Sequence, residues 1–180
     1  MAVFTVFESS DMKSTKGAER IFDCISTVDI ENGTFGYLNK LATGESVTYN
    51  FATGLSAGNP VVVVDQPAWD ANESLTSNQR KDKFIIPAGT KFRVRMIALT
   101  DEFAITKEGV TVATQALFLK DNYVTIDATG KLVASATSVP DSAFEGTVMR
   151  KRISGASLVT TANTYGYSRE LMEVKVTKLV

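Results

Sequence analysis

The chain has 180 residues, 44% of them hydrophobic and 22% charged, which suits one domain, or two small ones, with a buried core. Its net charge is −1 and it contains no histidine, so nucleic acid is not the expected partner. Ser-His-Asp and Cys-His catalysis, histidine metal sites and a histidine pH switch are excluded. A single cysteine, Cys24, excludes an intramolecular disulfide and an all-cysteine zinc site.

Stiff, strand-favouring side chains dominate, with 19 Val, 9 Ile and 21 Thr against 11 Leu. The expected class is mainly β: an antiparallel barrel or sandwich with long loops, an extended N-terminal arm and little helix. Residues 1–17 read as the arm. Its apolar positions Val3, Phe4 and Phe7 must pair with the chain's own sheet or a neighbour's. No basic stretch opens the chain, and no run approaches the ~18 apolar residues of a membrane span, so the expectation is synthesis and folding in a cytosol-like compartment and no membrane contact.

Residues 18–180 read as the β-rich domain, with two lobes, about 18–100 and 101–180, left open as an alternative to one barrel. Residues 18–26 read as a strand in preference to a short helix. The Asn32-Gly33 turn signal precedes a second at 34–41, where Phe35, Tyr37 and Leu41 alternate. Residues 47–51 alternate cleanly. The segment 60–65, with its run Val61-Val62-Val63-Val64, is continuous and apolar, so it is buried on both faces or packed on a second layer.

Residues 66–83 are a long polar stretch that holds Trp69. An aromatic there either folds back on the core or waits for a partner. Asp70, Asn72 and Glu73 are oxygen donors in this loop but lack the spacing of a calcium loop. Next, residues 91–98 alternate, with Phe92, Val94 and Met96 on one face and Lys91, Arg93 and Arg95 on an expected wet face. Strands are then expected at 102–106 and, after Gly109, at 110–113. Segments 122–127 and 131–135 flank Ala128-Thr129-Gly130 and read as a hairpin with Gly130 left-handed. The last strands are 144–153 and 167–179. Tyr165 and Tyr167, at the start of the latter, are core or contact.

Few constellations carry chemistry. Gly130-Lys131 lacks the residues of a phosphate loop and reads as a turn. Asp127-Ala128-Thr129-Gly130 has one residue too many for the Asp-Thr-Gly of aspartic proteases. Acidic neighbours at Asp101-Glu102, and around Asp65 and Asp70, read as scattered surface acids rather than a glycosidase pair. In a strand, Arg150 and Arg152 face opposite to Lys151, which splits the only basic cluster between two faces. Cys24, beside Phe22 and Ile25, reads as a small buried hydrophobe. Residues 1–90 carry a net −4 and residues 91–180 a net +3, which reads as ordinary scatter.

Several segments, in order, resemble the head decoration (cement) proteins of tailed bacteriophages. They are Ile30 to Leu38 with its Asn32-Gly33 start, Val61 to Pro67, Ile86 to Val94, the hairpin around Asp127 to Leu132, Phe144 to Ile153, and Tyr167 to Val176. The resemblance spans most of the chain and rests on order and length, with no catalytic signature. It implies a non-enzymatic virion protein without cofactor or metal. Such a protein sits on the outer capsid surface as a homo-oligomer, binds the major capsid protein lattice and stabilises it. Val3, Phe4, Phe7, Trp69, Tyr165 and Tyr167 are then the candidate capsid or subunit contacts. The alternatives are a tail-tube or head-tail connector component, a β-sandwich carbohydrate-binding module using Trp69, and, as a remainder, a histidine-free hydrolase.

Overall fold

The computed structural model describes residues 3–13, 20–67, 84–154 and 169–180. Trp69, Tyr165 and Tyr167, the oxygen donors Asp70, Asn72 and Glu73, and most of the polar stretch lie outside the described residues. The fold is mainly β, as the composition dictates. Five strands, β2 (Ile21–Ile25), β3 (Phe35–Leu41), β4 (Thr48–Thr53), β5 (Val61–Val64) and β6 (Lys91–Met96), close into a barrel in the order β2-β4-β3-β5-β6. Its pairings are antiparallel except β2 with β4, which is parallel.

The other strands form a six-stranded antiparallel sheet. They are β1 (Phe7–Asp11), β7 (Glu102–Ile105), β8 (Tyr123–Ile126), β9 (Leu132–Ser135), β10 (Phe144–Ser154) and β11 (Arg169–Leu179), ordered β1-β7-β11-β10-β8-β9. The N-terminal segment is therefore an edge strand of this sheet. Phe7 pairs with Ile105, and Thr5, Val6, Phe7 and Met12 are all buried.

The valine run explains how the two layers meet. Val62 and Val64 point into the barrel, among Cys24, Phe51, Phe92 and Val94. Val61 and Val63 point the other way, into a core shared with the sheet. Phe35 of β3 joins them, its ring 5.5 Å from Phe103 and 5.9 Å from Phe144. A strand between two apolar layers has no wet face, so it carries no alternation.

Two expectations are corrected. Arg95 is not on a wet face but is 9% exposed. It lies opposite Val63 in the β5–β6 ladder, at the margin of the shared core, and pairs with Asp65, whose carboxylate also accepts from Ser9 Oγ of β1 at 2.8 Å. The charge tolerates this position because a half-buried carboxylate lies against it. Residues 110–113 are not a strand. The segment winds through two 3₁₀ turns, Lys107–Gly109 and Val112–Leu117, with one parallel bridge, Val110 to Leu132. Thr111 N–H donates to Leu132 O at 2.8 Å, and Thr114 Oγ1 accepts from Ala134 N–H at 3.1 Å. The segment thus covers the outer edge of β9, which would otherwise present unpaired backbone.

The β8–β9 hairpin forms where the turn residues place it, with Gly130 left-handed. Its tip docks on the barrel: Phe35 N–H donates to Gly130 O at 2.8 Å, and Thr53 Oγ1 to Ala128 O at 3.0 Å. Asp127 organises the tip. Its carboxylate accepts from Thr129 Oγ1 at 2.6 Å, Thr111 Oγ1 at 2.7 Å, Thr129 N–H at 2.8 Å and Lys131 N–H at 3.0 Å. Partial burial pushes its pKa up, but these donors outweigh burial and hold it below the ordinary aspartate value. A carboxyl lowered in the folded state stabilises fully above its unfolded pKa and loses that contribution as pH falls through the folded value. Asp127→Asn is therefore expected to cost about 1–2 kcal/mol at pH 7. The gap from wild type should close on acidification below the carboxylate range, as read by urea denaturation at both pH values.

Candidate functional site

The notable local feature of the sheet is that its second strand stops short. Phe7, Ile105 and Met172 form a row across β1, β7 and β11. In the next row Val6 and Thr106 still bond: Thr106 N–H donates to Val6 O at 3.1 Å, and Thr106 Oγ1 accepts from Val6 N–H at 3.1 Å. The chain then turns away into the Lys107–Gly109 turn, because Gly109 N–H bonds back to Thr106 O. The neighbours on both sides run on. The N-terminal segment continues back to Val3, and β11 extends back to Arg169 against the far end of β10. A slot remains between them, where the line of β7 is interrupted.

The slot holds a cleft of about 430 Å³. Val3, Phe4 and Val6 form one wall, and Glu170 and Met172 the other. Phe118 and Leu119, which follow the second 3₁₀ turn, contribute to its lining. Its surroundings are apolar and open: Val3 is 50% exposed and Leu119 57%. Leu117 and Val112, also exposed, lie on the same 3₁₀ segment, and exposed Ile153 pairs with Glu170. Charge is balanced around it. Lys107 and Glu108 close the blind end, and Glu170 pairs with Lys151 at the mouth.

Of the six residues expected to make contacts, the slot brings together Val3 and Phe4. Phe7 belongs to the shared core, its ring 5.4 Å from Phe103. The other three lie outside the described residues. Phe118, Leu119 and Met172 were not anticipated. The one signal was Leu117-Phe118-Leu119, an apolar triplet outside any expected strand.

The remaining clusters are committed to structure. Asp101 is buried, accepting from Lys13 N–H at 2.9 Å and Ala98 N–H at 2.8 Å, while Glu102 pairs with Lys175. On the outer face of the sheet Arg150 pairs with Glu173 and Arg152 with Glu8, while Lys151 turns to the other face and meets Glu170. The exposed pairs of Arg150 and Lys151 contribute at most about 1 kcal/mol each. Cys24 lies inside the barrel with no exposed surface, and burial, helped by the negative charge of Asp23, pushes its thiol up to about 12. A thiol reagent added at pH 8 to the native protein is expected to leave Cys24 unmodified and to label it only in denaturant.

No protein-family model, curated protein or solved structure matches the chain.

Proposed function

We propose that this chain is a virion structural protein that coats the outer surface of a tailed-phage head, binding the major capsid protein lattice and stabilising it. The observation that carries this reading is a cleft lined by exposed Val3 and Leu119, with exposed Val112 and Leu117 on the 3₁₀ segment before Leu119 and exposed Ile153 opposite Glu170. Exposed apolar side chains gathered at a cleft mark a contact with another macromolecule. The body behind it is stiff, since barrel and sheet share one core. The order of turns and strands that resembles head decoration proteins supports the same reading. A lattice multiplies a modest contact into avidity without one tight site.

Cosedimentation with emptied, expanded heads of the source phage, beside size exclusion of the protein alone, tests it. Saturable binding at a fixed ratio to capsid subunits is expected. Rings or tubes in the free sample with no head binding would move the protein to the tail or connector. A plain monomer that ignores the heads would turn attention to glycans.

A further inference from the structure

We infer that the slot accepts an extended, uncharged, apolar segment of the coated protein as an added strand that continues the line of β7. The identity of the partner rests on the decoration reading, but the chemistry of the slot does not. Strand backbone alternates the side to which its N–H and C=O point. Val6 directs both groups at Thr106, so Phe4, two residues earlier, directs its own pair into the slot. On the opposite wall Val176 bonds to Thr100 and Asp101 on the β7 side, and the same parity carries through Val174 and Met172 to Glu170. Neither Phe4 nor Glu170 has a β7 residue opposite it, because β7 ends at Ile105 and Thr106 is taken by Val6.

The slot therefore has the backbone groups of Phe4 on one side and of Glu170 on the other, and a lining rich in apolar side chains. This is the requirement for strand addition, in which main-chain bonds supply affinity and side-chain pockets supply choice. The rim decides against a charged segment: Lys107 and Lys151 are balanced by Glu108 and Glu170, so no net field favours either sign. Leucine, phenylalanine, valine and methionine around the cleft favour a β-branched or apolar occupant.

The test is amide exchange by NMR on the labelled full chain with a blocked pentapeptide, acetyl-Thr-Val-Thr-Val-Thr-amide. A second peptide with proline at the centre serves as control, since proline has no N–H to donate and is not accommodated in a central strand. Exchange at Phe4 and Glu170 is expected to slow by about tenfold or more with the first peptide and to stay unchanged with the second. Leu119→Arg, at an exposed position, is expected to abolish the slowing while circular dichroism and Tm stay at wild-type values. No slowing at millimolar peptide, equal slowing by the proline peptide, or slowing confined to other sites would overturn the inference. Protection of Phe4 and Glu170 that grows with protein concentration alone would overturn the stated occupant in favour of a second copy of the chain. Wild type and Leu119→Arg binding heads equally well would remove the slot from the contact yet leave decoration standing. Peptide uptake without head binding would do the reverse, removing the coated protein as the partner.

Discussion

Phe35→Ala is expected to cost about 3–5 kcal/mol, a third or more of the stability of an ordinary domain. Phe35 has no exposed surface, and its ring meets Phe103 and Phe144, which belong to the sheet, while its backbone belongs to the barrel. Truncation removes the apolar area of the ring and leaves a cavity that four surrounding strands cannot fill by moving together. The position also decides whether barrel and sheet unfold as one body. Both contribute to a single core, so urea denaturation followed by far-UV and near-UV circular dichroism should give coincident transitions in wild type and in the variant. Two separated transitions, with only one shifted by the substitution, would mean that barrel and sheet fold independently.

Local pattern made much of this architecture readable. The strands at 35–41, 61–64, 123–126, 132–135 and 144–154 fall where alternation and turn residues put them. A barrel or sandwich was expected, but which strands close the barrel was not legible, because closure requires β2 to pair with both β4 and β6, and pairing partners distant in sequence leave no periodic signal. The burial of Arg95 was invisible for a related reason. Period-two alternation distinguishes the two faces of a strand, but both faces of β6 are partly covered here, one by the barrel interior and the other by the margin of the sheet. The 3₁₀ path of 107–117 departs from a β-branched sequence because Thr111 and Thr114 spend their backbone and hydroxyl groups on the edge of β9.

The slot was half legible. Val3 and Phe4 stood out as apolar residues in a terminal segment, but where they lie depends on how soon β7 ends, and that is fixed by the turn at Lys107–Gly109. Phe7, from the same apolar segment, is core instead, because it lies within β1, opposite Ile105 and against the ring of Phe103.

Gly130→Ala should be the more informative of two glycine substitutions with nearly the same backbone. Gly130 has φ +80° and Gly44 φ +81°, so an alanine pays a similar left-handed penalty at each, about 1–3 kcal/mol. Their surroundings differ. A Cβ at Gly44 meets nothing within 4 Å, whereas at Gly130 it would lie 2.2 Å from the Phe35 carbonyl oxygen and 2.8 Å from Thr34 Cγ2. Backbone cannot yield as a flexible side chain does, so the hairpin tip must lift. That breaks the bond from Phe35 N–H to Gly130 O and strains the one from Thr53 to Ala128. The expected total is about 4 kcal/mol or more, at least about 2 kcal/mol beyond Gly44→Ala, measured as the difference in urea unfolding free energy. The effect should also travel. Lifting the tip pulls on Asp127 and Leu132, which hold Thr111, and Ala134 in turn holds Thr114 and the 3₁₀ turn that leads to Phe118 and Leu119 in the slot. Peptide uptake by the slot should therefore weaken in Gly130→Ala and persist in Gly44→Ala. Equal costs and equal uptake in the two variants would mean that the docked tip sets neither the stability of the sheet nor the shape of the slot.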